Sequence, residues 1–247
     1  MNTLNASRRR RTTIGGLAAA LVAVAVSAGS PAQAADPDPN HLTVIYDVAG
    51  SAHIGAQINS DLELGPTTIK VTIDTAAALP TPIIDGSMVI PPKVLNFSIL
   101  GIPARAKVTM TQVGPITGTL TKLPAPRQAL DLKSKVKYDI RLSDVEVKIG
   151  AWFPLAVGSR CHTKDPVTIN VGSPLSDTTP PTGFFTINAG GPATGNFTIG
   201  QFTGCAALNF LDIPGFFPWF GSIPINSLVP GSNNSVSLTL SNPQPGN

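Results

Sequence analysis

Between Leu132 and Leu142 the chain alternates without a break. Leu132, Ser134, Val136, Tyr138, Ile140 and Leu142 hold one parity, and Lys133, Lys135, Lys137, Asp139 and Arg141 hold the other. A period of two puts successive side chains on opposite faces of a strand, whereas a helix would scatter them around its axis. The segment is therefore a half-buried strand. After Leu142 the parity reverses, because Val145, Val147 and Ile149 are apolar while Asp144, Glu146 and Lys148 are polar. One residue is extra, which predicts a bulge or a turn at Ser143-Asp144. The lysine row is read as the solvent face of a strand or as charges guarding a sheet edge.

Further strands are expected at 42–48, 52–58, 68–74, 94–99, 106–112, 116–121, 167–171, 184–188, 195–199 and 236–240, most of them bounded by Gly, Pro, Asn or Asp. Only 127–132 and 206–211 could each form a short helical turn. The class is all-β.

Four sets of markers occur twice in one order. Val44–Val48 answers to Val136–Ile140, Leu62–Gly65 to Leu155–Gly158, Val71–Asp74 to Val167–Asn170, and Gly114–Thr121 to Gly191–Thr198. Collinear matches predict an internal duplication. The expected organisation is a signal peptide over 1–34, an N-terminal tail over 35–41, a first β unit over 42–121, a linker over 122–134 and a second β unit over 135–242. The two units would be β-sandwich-like; the alternative is one large sandwich or barrel made of two halves.

The N-terminus carries Arg8–Arg11, then an apolar stretch from Ile14 to Val26 and Ala32-Gln33-Ala34 ahead of Ala35. That is the three-part pattern of a secretory signal, with cleavage expected after Ala34. No later stretch has the roughly 20 apolar residues of a membrane span, so no transmembrane span is expected in the mature protein. The whole chain holds 17 basic and 14 acidic residues, and removing the signal takes four arginines and no acids. The slight acidic excess that remains removes the electrostatic case for nucleic-acid binding. Cys161 and Cys205 are the only two cysteines. In an exported chain they are expected to pair as a structural staple.

A catalytic site does not emerge. There is no Gly-x-Ser-x-Gly elbow, and Ser51 with His53, or Ser159 with His162, lack the orienting group and oxyanion hole that a triad needs. His41, His53 and His162 are the only histidines, none at metal-ligand spacing. Asp36, Asp38 and Asn40 space oxygens as a calcium loop does, but prolines interrupt them and no distal Glu follows. Asp61 and Glu63 share a face without an apolar neighbour that would raise a pKa. No metal, cofactor or catalytic residue is therefore assigned. The feature that points to function is aromatic: Phe216, Phe217, Trp219 and Phe220, interrupted by Pro218 and flanked by Pro214 and Pro224, cannot form a helix or a central strand. They either cap a core or present a binding surface, which Trp152-Phe153-Pro154 would join.

The run Tyr138–Val145, the turn Gly158–Thr163 around Cys161, and Phe202-Thr203-Gly204-Cys205 together resemble a group of secreted actinobacterial proteins without an established function. These share a Tyr-x-Ile/Leu-x-Leu-x-Asp-Val strand, a Cys-x-Thr-x-x-Pro turn and a Phe-x-Gly-Cys segment. The resemblance covers about 136–240. It implies extracellular or cell-envelope residence, a disulfide between the two cysteines, and no assigned activity. The Phe216–Phe220 segment departs from that pattern. The function expected is thus a secreted or envelope binding protein, non-catalytic, with an apolar ligand, a glycan or an envelope protein as partner. The alternatives are a secreted hydrolase with a concealed site and a purely structural envelope protein.

Overall fold

The computed structural model describes residues 38–99, 101–124, 129–155, 157–174, 183–205 and 225–246. Fourteen strands and one short helix follow in chain order: β1 His41–Ile54, β2 Ser60–Glu63, β3 Thr67–Asp74, β4 Thr81–Met88, β5 Lys93–Ile99, β6 Ile102–Gln112, β7 Thr117–Lys122, β8 Leu130–Ile149, β9 Ala151–Pro154, β10 His162–Thr163, β11 Val167–Gly172, β12 Gly191–Ile199, β13 Phe202–Thr203, α1 Ile225–Leu228 and β14 Gly231–Pro245. The all-β expectation holds.

Every strand pairing is antiparallel, and the main path is a circuit. β1 pairs with β3, β3 with β4, β4 with β7 and β7 with β8; β8 then pairs with β11, β11 with β12, β12 with β14, and β14 returns to β1. Within this circuit the inward side of each strand is apolar. Val44, Tyr46, Val48, Ala52 and Ile54 of β1 are buried, as are Leu132, Val136, Tyr138, Ile140 and Leu142 of β8, and all belong to one contiguous core. Lys133, Lys135 and Lys137 are exposed. They do not guard an edge, because β8 is paired on both sides; they are the solvent face of an interior strand.

The bulge is where parity places it. Asp144 has a positive φ of 49°, and the β6–β8 register shifts between Arg105 and Lys107. Two residues of β8 thus oppose one of β6, and the inserted residue returns Val145 and Val147 to the buried face. The strand continues through the bulge to Ile149. Around the bulge β8 pairs with β6 on one side; on the other it meets β10 at Arg141, before the bulge, and β9 from Glu146 to Ile149, after it, while β5 pairs with β6.

Two organisational expectations need correction. The described residues from 38 onward form one compact unit, and 42–121 and 135–242 share its sheet through β1–β14, β6–β8 and β7–β8. Nor is 122–134 a linker throughout: Lys122 pairs with Leu130, and Leu130–Ser134 lie inside β8. Buried Leu132 continues the inward row, so the strand begins earlier than the nearby prolines suggested.

The repeated markers are only partly matched by position. Tyr46 and Tyr138 both lie on a strand that opens a four-strand run, opposite Ile69 and Val167 respectively. Val71, matched by sequence to Val167, instead faces Val44. Gly118 is in β7, the fourth strand of its run, whereas Gly195 is in β12, the third of its own. Their likeness has a local cause. A Cβ at Gly118 would stand 2.2 Å from the Lys133 carbonyl oxygen, and one at Gly195 only 1.9 Å from that of Asn170, so each strand needs a residue without a side chain there. The segment 184–188 is likewise not a strand; it makes isolated bridges and buries Phe185 against the Tyr46 ring, with centroids 5.7 Å apart.

Candidate functional site

The inward rows do not fill the space they enclose. A cavity of about 90 Å³ lies among β1, β4, β6, β8, β12 and β14, and a second of about 50 Å³ lies beside it toward Tyr46 and Phe185. Ile69, Ile116, Ser134, Val171 and Leu238 line both. Protein interiors have few voids larger than a water molecule, so two adjacent cavities of this size along one core are unusual packing. It arises at identifiable positions. Ala52 and Ala106 place small side chains inward on long strands, and Met88 and Met110 line the larger cavity with flexible thioethers that can change rotamer at little expense.

Its chemistry is nearly uniform. Among the residues that line the larger cavity only Ser134 and Tyr138 carry a polar side-chain group, and none carries a charge. The Tyr138 hydroxyl donates to the Met88 carbonyl at 3.2 Å, and the Tyr46 hydroxyl donates to the Ile187 carbonyl at 2.8 Å. Desolvation by burial pushes the Tyr46 phenol up to about 12 and pushes the Tyr138 phenol up as well. An ionised group in this interior would have neither solvent nor a counter-ion, so only the apolar part of a ligand fits. The larger void is smaller than the roughly 150 Å³ cavity that accepts benzene, so anything beyond a few carbon atoms requires side chains to move.

Where the cavity approaches its boundary, α1 acts as a wall. Ile225 and Val229 line it, and the Asn226 side chain is fixed to one strand residue by two bonds: its oxygen accepts from the Phe202 backbone N–H at 2.7 Å and its nitrogen donates to the Phe202 carbonyl at 3.0 Å. Nearby, Cys161 and Cys205 are bonded and fully buried, with Cα atoms 4.1 Å apart. The expected pair is present. Phe216, Phe217, Trp219 and Phe220 lie outside the described residues.

The polar candidates fall elsewhere. β1 and β2 bring His53 Nδ1 within 2.8 Å of Asp61 Oδ1, and their register sets Ser51 opposite Glu63 on the same pair of strands. His53 and Asp61 are exposed, at 42% and 72% of their side-chain surface, so nothing there excludes water or supplies an oxyanion hole. His162 Nδ1 is 3.2 Å from Asp139 Oδ1, while Thr163, almost fully buried, donates to the same carboxylate and accepts from the Ile140 N–H. That second cluster secures β10 to β8. Among the described residues no group of three or more His, Cys, Asp or Glu could hold a metal ion, and no helix is long and apolar enough to cross a membrane.

Trp152 and Phe153 are in β9, which folds back on β8 through Gly150 at a φ of 72°. Sequence reading missed the cavity and its α1 wall. The available signal for the cavity was the pair of alanines on inward parity, Ala52 and Ala106, where neighbouring positions carry large apolar groups. No family model, no curated protein and no solved structure matches the chain.

Proposed function

We propose that the chain is a non-catalytic binding protein that works outside the cytoplasm and holds the apolar part of a small ligand, such as an acyl chain, inside the strand circuit. The observation that carries this reading is the uncharged cavity lined by Ala52, Met88, Ala106, Met110 and Tyr138. Residence outside the cytoplasm is supported by the signal-like N-terminus and by the buried disulfide, a bond that persists in oxidising compartments. A hydrolytic reading would rest on Ser51, His53 and Asp61 or on Ser159, His162 and Asp139; His53 and Asp61 are exposed, and the His162–Asp139 pair joins β10 to β8.

The test is displacement of N-phenyl-1-naphthylamine from the purified protein by fatty acids from octanoic to palmitic, read by fluorescence. Saturable probe binding that long chains displace is expected. Ala106→Leu adds carbon atoms to the void and should weaken the probe by about tenfold, the equivalent of roughly two methylenes left unburied, without lowering the melting temperature. Absence of saturable binding, or unchanged affinity in Ala106→Leu, rejects the interior as the site. Selective retention on a glycan array without probe binding would move the reading to a carbohydrate surface.

A further inference from the structure

We infer that the tips of the β5–β6 and β8–β9 hairpins dock the protein on the surface of an anionic lipid bilayer. The two hairpins are neighbours, since Ala104 of β6 pairs with Val147 of β8. Each turns tightly, Ile99 pairing with Ile102 and Ile149 with Ala151. Both turns project: a Cβ at Gly101 or Gly150 would meet nothing within 4 Å. Apolar side chains nonetheless cluster there. Ile99, Ile102 and Ile149 are only half-buried, Trp152 is 36% exposed and Phe153 is 50% exposed.

The sidedness of β9 argues for a bilayer over a flat protein partner. Trp152 stands opposite Lys148 and Phe153 opposite Val147, so the two aromatics occupy opposite faces of one edge strand. A rigid partner could cover one face; a medium that surrounds the tip covers both. Charge is placed to match. The Arg105 guanidinium lies 4.3 Å from the centroid of the Trp152 ring, and the Lys148 ammonium lies 6.0 Å from it. Arg105 is paired with Glu146, and Lys148 has no carboxylate within ion-pair distance among the described residues. An indole beside cations is the side-chain set that settles at the level of lipid headgroups, with Phe153 reaching further in.

The chain contains two tryptophans, so Trp219→Phe leaves Trp152 as the only reporter. Mixed with vesicles of phosphatidylcholine containing one quarter phosphatidylglycerol, this protein should show a blue-shifted emission that is quenched by lipid brominated on its acyl chains. Phe153→Ser should weaken vesicle co-sedimentation by about tenfold, and Lys148→Glu should weaken it about threefold on the anionic vesicles while leaving neutral vesicles unaffected. Melting temperature and naphthylamine binding serve as folding controls for each variant. Unshifted Trp152 emission, or co-sedimentation that survives Phe153→Ser, overturns the docking surface. Because Ala106→Leu alters the interior and Phe153→Ser the tip, failure of one reading leaves the other measurable.

Discussion

The sets β1–β7 and β8–β14 each contribute four strands to the circuit, with different fastenings. In the first set, β1 is flanked by β3 and then by β2, and β2 contributes four register pairs to it. In the second, the place beside β8 beyond β11 is held by β10, which pairs with β8 at a single position, His162 with Arg141, and with β13 at two. Few ladder bonds can form over so short a stretch. The Cys161–Cys205 bond lies there, joining the turn before β10 to the residues after β13. A covalent link stands where strand pairing is thinnest, and hydrogen bonds suffice where it is longer. The two sets also hold each other: Tyr46 of the first donates to Ile187 of the second, and Tyr138 of the second donates to Met88 of the first.

The largest expected effect tests the fastening. Replacing both Cys161 and Cys205 with serine should remove about 4 kcal/mol, the chain-entropy value for a loop of this length, measured by urea unfolding. A loss within 1 kcal/mol of zero would mean that β10 and β13 are held without the bond and that the two sets are fastened alike.

The crossed phenols come next. Tyr46→Phe and Tyr138→Phe should each lower stability by about 1–2 kcal/mol, because each leaves a buried carbonyl without its donor. Equal losses support reciprocal pins; a negligible loss in one variant breaks the comparison. Their titration gives an independent reading. A phenol held above its unfolded value of about 10 contributes stability that is complete below that pH and is lost as pH climbs through the folded value, about 12 for Tyr46. These are the only two tyrosines in the chain. Ultraviolet titration should therefore show both ionising together with unfolding, beginning near pH 10. Independent ionisation of one phenol in a folded protein would show that its set is the looser.

The smallest effect concerns the bulges. Asp144 interrupts β8 at a φ of 49°, and Asn242 interrupts β14 at 50°, where the β1–β14 register shifts. Glycine relieves left-handed strain at either position. At Asp144 the only ion-pair partner among the described residues, Lys107, is 3.9 Å away, so Asp144→Gly should raise stability by about 0.5 kcal/mol. At Asn242 the side chain donates to Asp47 at 2.9 Å, and its loss should offset the gain. Thermal melts that rank the two variants the other way would show that the Asp47 contact contributes nothing.

The course of β8 and its bulge could be read from the amino acids because one face is core and the other solvent, which writes the strand into parity. β4 could not. Pro82, Asp85 and Gly86 are turn-forming residue types, but Pro82 sits at the strand's beginning, where a missing N–H is tolerated, and Gly86 packs tightly, since a Cβ there would stand 3.0 Å from the Ile116 Cβ. The break expected between 48 and 52 was also absent, since β1 runs through Gly50. As for the site, the inward row of β8 was legible, whereas Met88 on the unread β4 and the void itself were not. Empty space is the difference between the perimeter set by β8 meeting β11 and the summed volume of side chains from six or more strands. No local window contains that difference.

One consequence follows from β1 lying beside β14. Val44 pairs with Pro245 and Ile54 with Asn234, so the wall is closed by residues separated by most of the chain. Until β14 is in place, β1 and β12 each present an unpaired edge to solvent. Contacts between such distant residues must bear a large loop-closure entropy before they return any stability, which makes folding slow. A chain of this design cannot close its wall until its last strand is available. Under the proposed residence outside the cytoplasm, that delay suits passage of an unfolded chain across a membrane.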